Sequence, residues 1–150
     1  MRKILFLCTG NYFRSRFSEQ WFNYCAIKRN LQLKLIASSA GLNVCDGNGN
    51  IGAMAKEAIS ALNARGVIVN IDSLALPHQV SVAELESADV VVAVDSKAHR
   101  PMVYSKFPEW ESKVVFWDVK DLGEDALQRD PIQQLQTNVE ILISDLVRDI

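Results

Sequence analysis

The sequence predicts an α/β fold, a three-layer sandwich whose central, mostly four-stranded parallel sheet carries helices on both faces. Two observations point to it. Short, evenly apolar runs recur along the chain, the pattern of strands covered on both sides. Segments with apolar residues at helical spacing alternate with them, and that alternation is what a parallel sheet wrapped by crossover helices requires.

The first strand is Ile4 to Leu7. Preceded by Arg2-Lys3, it mimics the start of a signal peptide, but the apolar run is too short and ends in Thr-Gly-Asn, so a buried strand is the better reading. A helix follows from Ser15, with Phe17, Trp21, Tyr24 and Lys28 at roughly helical spacing. Leu33 to Ala37 form the second strand. From Ile51 to Arg65, residues Ile51, Ala55, Ala58, Ile59 and Leu62 share one helical face, and Gly66 supplies the stop. Ser81-Val82-Ala83-Glu84 is a capping box that opens a short helix. Asp89 leads into Val90 to Val94, the strongest buried-strand run, and Val114 to Trp117 make a further strand. The last helix opens at Asp130-Pro131 with Gln133 third. Its apolar face carries Ile132, Leu135, Val139, Leu142, Leu146 and Val147.

A length of 150 residues without repeat or linker suits a single domain over 1–150. With 49% hydrophobic residues and a net charge of -2, the composition describes a soluble globular protein. It gives no electrostatic reason to expect nucleic acid or an anionic membrane as partner. No run approaches the ~20 apolar residues of a membrane span. Cys8, Cys25 and Cys45 are too irregular for a disulfide framework, and with only His78 and His99 beside them no metal cluster is expected. Both histidines read as surface or loop residues. A reducing cytoplasm fits, with Cys8 doing chemistry, Cys25 packing in the core and Cys45 an ordinary loop thiol. A redox partnership of Cys45 with Cys8 is the other reading.

In such sheets the site lies beyond the carboxyl ends of the strands, where Cys8 stands. The loop reads Cys8-Thr9-Gly10-Asn11-Tyr12-Phe13-Arg14-Ser15 and joins a buried strand to a helix N-terminus. Backbone N–H groups and the helix dipole attract anions there, and the same field acidifies a thiol. Gly10 and Asn11 tolerate left-handed backbone, which lets successive N–H groups turn inward as an anion nest. Arg14, six residues after the thiol, can curl back and grip two phosphate oxygens. Ser15 can cap the helix or donate to the sulfur.

This Cys-x-Gly-Asn-x-x-Arg-Ser loop resembles the active-site signature of the low-molecular-weight protein tyrosine phosphatases. Ser39-Ala40-Gly41, the Ala-rich helix ending at Gly66, and Ala88-Asp89 before the Val-rich strand are similar to that family's landmarks. The resemblance implies Cys8 as nucleophile and Arg14 as phosphate binder, with Thr9 to Ser15 cradling the phosphate. It implies Ser15 as thiolate stabiliser, and Asn11 with Ser39 as a hydrogen-bonded brace. No metal or organic cofactor is implied. Expected partners are a phosphotyrosine protein or a small aryl phosphate, and the expected state is a monomer or weak dimer.

Expelling an alkoxide or phenoxide calls for a general acid. Asp118, Asp121, Glu124, Asp125 and Asp130 are candidates. Asp130-Pro131 matches the family's Asp-Pro pair but is fully explained as an N-cap followed by a first-turn proline. Trp117-Asp118-Val119-Lys120-Asp121 is similar to a family variant ending Trp-Asp-Val-Pro-Asp-Pro, in which the second Asp is the acid. Asp121 is therefore favoured, with Asp118 and Asp130 as alternatives. Leu122 stands in place of the second Pro, and a frequent Tyr pair is missing. Phe13 occupies the position of a second cysteine, and Arg16 that of a proline, adding charge near the mouth. The rim from Leu42 to Asn50 offers Cys45-Asp46-Gly47-Asn48-Gly49 in place of an aromatic, leaving Tyr12 and Phe13 as the aromatic wall. Two rival readings share the loop: an arsenate reductase, which needs resolving cysteines although none follows Cys45, and a phosphate-binding pseudophosphatase without turnover.

Overall fold

Successive side chains of a strand point to opposite faces, and the first strand, β1 (Arg2–Cys8), buries both. In the computed structural model, which describes residues 1–45, 47 and 49–149, Ile4, Phe6 and Cys8 face one apolar cluster while Leu5 and Leu7 face another. The first cluster is completed by Phe17 and Phe22 of α1 (Arg14–Lys28), Ala58 and Leu62 of α2 (Lys56–Ala64), and Leu135, Val139 and Ile143 of α5 (Pro131–Arg148). The second takes Leu85 of α3 (Val82–Ser87) and Val103 of α4 (Ser96–Lys106). Helices thus cover both faces of one sheet, giving the three layers expected.

That sheet has four strands in the order β2-β1-β3-β4, where β2 is Leu35–Gly41, β3 Val90–Ala93 and β4 Val115–Phe116. Every pairing is parallel. The register sets Cys8 beside Gly41 and Leu7 beside Ala93, so the carboxyl ends of β1, β2 and β3 meet at one edge. Among the described residues no helix is long and apolar enough to cross a membrane.

Several boundaries differ from the sequence reading. The second strand starts at Leu35 and runs through Ser38-Ser39 to Gly41, because β1 dictates its length and β2 is an edge strand that admits polar residues. The second helix starts at Lys56. Gly52 has φ +80°, which a right-handed helix does not admit, and Ile51 lies exposed in the preceding loop. Helix α4 carried no clear apolar period, since Pro101 interrupts it and its buried side chains are only Val103 and His99. The Ser81 capping box is present with Glu84. Asp130 caps α5 through Ile132 N–H, but Gln133 turns to Thr137 instead of back to the cap. Asp46 and Asn48 of the rim lie outside the described residues.

Gly41 is where sheet and loop press together. A Cβ added there would sit 2.3 Å from Val44 Cγ2 and 2.9 Å from the Thr9 carbonyl oxygen. The valine can rotate away, but the carbonyl moves only with the Cys8–Ser15 loop. Gly41→Ala is expected to lower stability by about 1–3 kcal/mol in urea denaturation, as overpacking does.

Candidate active site

The loop after β1 is held open by its carbonyls. Cys8 O accepts from Leu42 N–H at 2.9 Å, Thr9 O from Asn43 N–H at 2.9 Å, and Tyr12 O from Ala55 N–H at 2.9 Å. With the oxygens drawn outward to these neighbours, no described protein group accepts from the N–H groups of Gly10 to Phe13. Such an array of free donors ahead of a helix is an anion nest. The left-handed turn it needs is made by Asn11 alone, at φ +52°, and Gly10 keeps an ordinary φ.

Asn11 is fully buried, and its amide fixes the direction of a hydrogen-bond chain. Its Oδ1 accepts from His78 N–H at 3.3 Å, so Nδ2 is the end that faces Ser15 Oγ and Ser39 Oγ, each at 3.0 Å. Ser39 spends its own hydrogen on Glu19 Oε1 at 2.6 Å. Ser15 accepts from Asn11, which leaves its hydrogen for Cys8 Sγ at 3.0 Å. Of the two roles open to Ser15, the structure shows contact with the sulfur; the N-cap position of α1 is Phe13, with no side-chain cap.

Arg14 is almost fully buried. Its Nη1 donates to Asp95 Oδ2 at 3.0 Å and to Val119 O at 2.9 Å, and Nη2 lies 3.9 Å from Asp121 Oδ2. Burial pushes the Asp95 carboxyl up, but hydrogen bonds from Lys120, Ala98 N–H and Arg14 outweigh it and hold the group below its ordinary pKa. Asp95 was not among the sequence candidates. Its only sequence signal is its place directly after the Val-rich strand, at the edge where ligands bind.

His99 corrects the reading of it as a surface or loop residue, for it lies in α4 with no exposed area. Asp95 N–H donates to Nδ1 at 3.1 Å, so the ring hydrogen sits on Nε2, 3.0 Å from Thr9 Oγ1. Burial, then the Arg14 charge, lowers its pKa to about 3 and keeps the ring neutral. Thr9 therefore accepts from His99, and its own hydroxyl hydrogen remains for a ligand. His78 is exposed and pairs with Glu84 at 2.8 Å.

These groups converge on a pocket of about 220 Å³ lined by Cys8, Thr9, Tyr12, Arg14, Asp121 and Leu122, with Phe13, Gly10 and Glu57 also on its wall. The side chains of Asn11, Ser15 and Ser39 lie buried in the hydrogen-bonded chain beside the thiol. Among the acid candidates, Asp121 lines the pocket, Asp118 is exposed and paired with Lys120 at 3.0 Å, and Asp130 is occupied as the cap. Arg16 is not at the mouth. It is buried, directs Nη2 at Ala75 O and sits 3.9 Å from Glu19, its pKa lowered by burial. Cys25 packs half-buried against the core with its thiol pushed up to about 11, mainly by burial, and Cys45 is exposed. Among the described residues no three His, Cys, Asp or Glu side chains gather as metal ligands would.

The family model described as low molecular weight phosphotyrosine protein phosphatase matches residues 3–143. The chain belongs to that family. A curated member, the low molecular weight protein-tyrosine-phosphatase YfkJ of Bacillus subtilis, is 34% identical over 97 residues, which cover 65% of this chain and 58% of the relative. The match therefore spans under two thirds of that protein's length. The crystal structure of YfkJ superposes with a TM-score of 0.80 at 25% identity, covering 99% of this chain and 96% of the other. A phosphatase of the same family from T. tengcongensis gives 0.76 at 24% identity over 97% and 99%. The YwlE arginine phosphatase of Geobacillus stearothermophilus gives 0.75 at 22% over 99% and 95%, a likeness of fold.

The buried His99 ties this phosphatase-family loop to pH. Its folded pKa of about 3 lies below the ordinary 6.5, so the unfolded chain takes up the proton first. His99 thus favours folding fully above about pH 6.5, and that contribution falls with pH by up to about 1.4 kcal/mol per unit, levelling off only near its folded pKa. Urea titrations from pH 7 to pH 5 should show this decline, and His99→Gln should flatten it.

Proposed function

We propose that the chain is a phosphomonoester hydrolase, acting as a protein tyrosine phosphatase or on small aryl phosphates through a cysteinyl-phosphate. The observation that carries this reading is the meeting of Cys8, Arg14 and Asp121 around one pocket. Phosphate enters with its equatorial oxygens toward the free N–H groups of the loop and the remaining donors of Arg14. Cys8 attacks phosphorus as thiolate, forming S–P as the ester P–O bond breaks. Asp121 gives its proton to the departing oxygen. Water then attacks the phosphocysteine, Asp121 takes up the proton, and S–P cleavage returns the thiolate with inorganic phosphate. The loop donors stabilise the charge that spreads over the phosphoryl oxygens in both steps.

Tyr12, Phe13 and Leu122 on the pocket wall suit a flat ring, which supports an aryl ester. Tyr12 is itself fixed, its hydroxyl donating to Ile51 O at 2.7 Å. The packing of the half-buried Cys25 against the core and the absence of any cysteine after Cys45 weigh against a cysteine-relay reduction of arsenate. The intact thiol, arginine and carboxylate weigh against a pseudophosphatase without turnover.

Cys8→Ser is expected to abolish p-nitrophenyl phosphate hydrolysis, and retained turnover would overturn the proposal. Asp121→Ala should lower kcat/KM for phenyl phosphate by about 10²–10⁴-fold, and for the more acidic p-nitrophenol leaving group by much less. If Asp118→Ala or Asp130→Ala shows that dependence instead, the acid is misassigned. Phosphotyrosine, an alkyl phosphate, phosphoarginine and arsenate assayed in parallel separate the substrate classes. Phosphoarginine belongs in the panel because an arginine phosphatase shares the fold.

A further inference from the structure

The acid-bearing loop lacks both prolines of the Trp-Asp-Val-Pro-Asp-Pro variant, with Lys120 at the first and Leu122 at the second. Nothing covalent stiffens the chain on either side of Asp121. Instead Lys120 Nζ donates to Asp95 Oδ1 at 2.9 Å and reaches Asp118 Oδ1 at 3.0 Å. Its side chain is only 20% exposed, and the Asp95 partner is buried. The residue before it is pinned twice more, Val119 N–H to Val94 O at 2.8 Å and Val119 O to Arg14 Nη1 at 2.9 Å. The next residue is Asp121, whose side chain is 47% exposed. Beyond it the chain turns at Gly123 with φ +77°.

We infer that Lys120 is a positioning residue for Asp121, an ionic tether that docks the acid loop on Asp95, the carboxylate that also orients Arg14. The inference rests on the proposed role of Asp121. Its logic is a division of labour within one carboxylate. Oδ2 holds the phosphate-gripping arginine, and Oδ1 holds the loop that carries the proton. Losing Lys120 leaves the Oδ2 bond to Arg14 and the Ala98 N–H bond to Oδ1 in place. Phosphate binding should then persist while proton delivery fails. An exposed ion pair would contribute little; this one has a partner fixed from several sides, so it defines position.

The test compares wild type, Lys120→Met, Asp121→Ala and the double variant, using kcat/KM, which reports formation of the phosphocysteine. The substrates are aryl phosphates spanning p-nitrophenol to phenol as leaving groups. Lys120→Met should lower kcat/KM about tenfold or more for phenyl phosphate but less than about threefold for p-nitrophenyl phosphate, since general-acid help matters most for the poorer leaving group. Inhibition by inorganic phosphate should stay within about twofold of wild type. In the Asp121→Ala background, Lys120→Met should add less than about twofold, because the two changes remove one function. Asp118→Asn should keep the wild-type dependence. An equal loss for every ester with weakened phosphate inhibition overturns the inference, for Lys120 would then serve only Asp95 and Arg14. An unchanged leaving-group dependence, or additive losses in the double variant, overturns it too. Should Lys120→Met melt well below wild type, Lys120→Gln is read on the same panel by the same criteria. If Asp121→Ala shows no leaving-group dependence, the acid assignment and the tether both fall. If Asp121→Ala shows it and Lys120→Met does not, the tether alone falls.

Discussion

Asp95 holds more of the site together than any residue that faces the pocket. Its carboxylate binds Arg14 through Oδ2 and Lys120 through Oδ1, its Oδ1 also caps α4 at Ala98 N–H, and its backbone N–H fixes the His99 ring. A buried carboxylate is costly without partners, and removing one partner from such a pair typically costs about 3–5 kcal/mol. Here the partners are Arg14, Lys120 of the loop that carries Asp121, and the helix that backs Thr9. The desolvation of one charge therefore ties three distant segments to a common origin. Arg14 and Asp95 are 81 positions apart in sequence and meet because β1 and β3 are neighbours in the sheet.

The second constraint is directional. A carboxylate only accepts, so Glu19 takes the hydrogen of Ser39, Ser39 must accept from Asn11, and Asn11 must donate to Ser15. The orientation propagates to Cys8 without a free rotor along the way. His99 does the same for Thr9 from the opposite face of the sheet. Donors whose direction is fixed before a ligand arrives need no reorganisation to meet it, which is the general basis of electrostatic preorganisation.

How far the sequence reveals this depends on whether the determinant is local. The apolar runs of β1 and β3 and the loop from Cys8 to Ser15 are contiguous, and the sequence shows them as two buried strands and as a turn from strand to helix. Asn11, Ser15 and Ser39 were legible through family likeness, and the structure places them in one hydrogen-bonded chain. Asp95 and His99 were not. A buried Asp and His look like surface residues until the strand order brings Arg14 and Thr9 to them, and α4 has almost no apolar period to declare its inner face. Arg16 misled for the same reason. A charge one residue past the signature reads as solvent-facing, yet the helix turns it inward to the Ala75 carbonyl. The start of α2 was misplaced because Ile51 and Ala55 happen to match a helical stripe that Gly52 breaks.

The three carbonyl bonds that hold the loop open come from only two places, Leu42-Asn43 and Ala55. Two further bonds, Val44 N–H to Gln79 Oε1 and the Tyr12 hydroxyl to Ile51 O, stand beside them. These contacts brace the loop from two stretches of chain, Leu42 to Val44 on one side and Ile51 and Ala55 on the other. The loop's carbonyls are thus anchored by two stretches of chain that lie apart in sequence, so the direction of its N–H groups does not depend on any single neighbour.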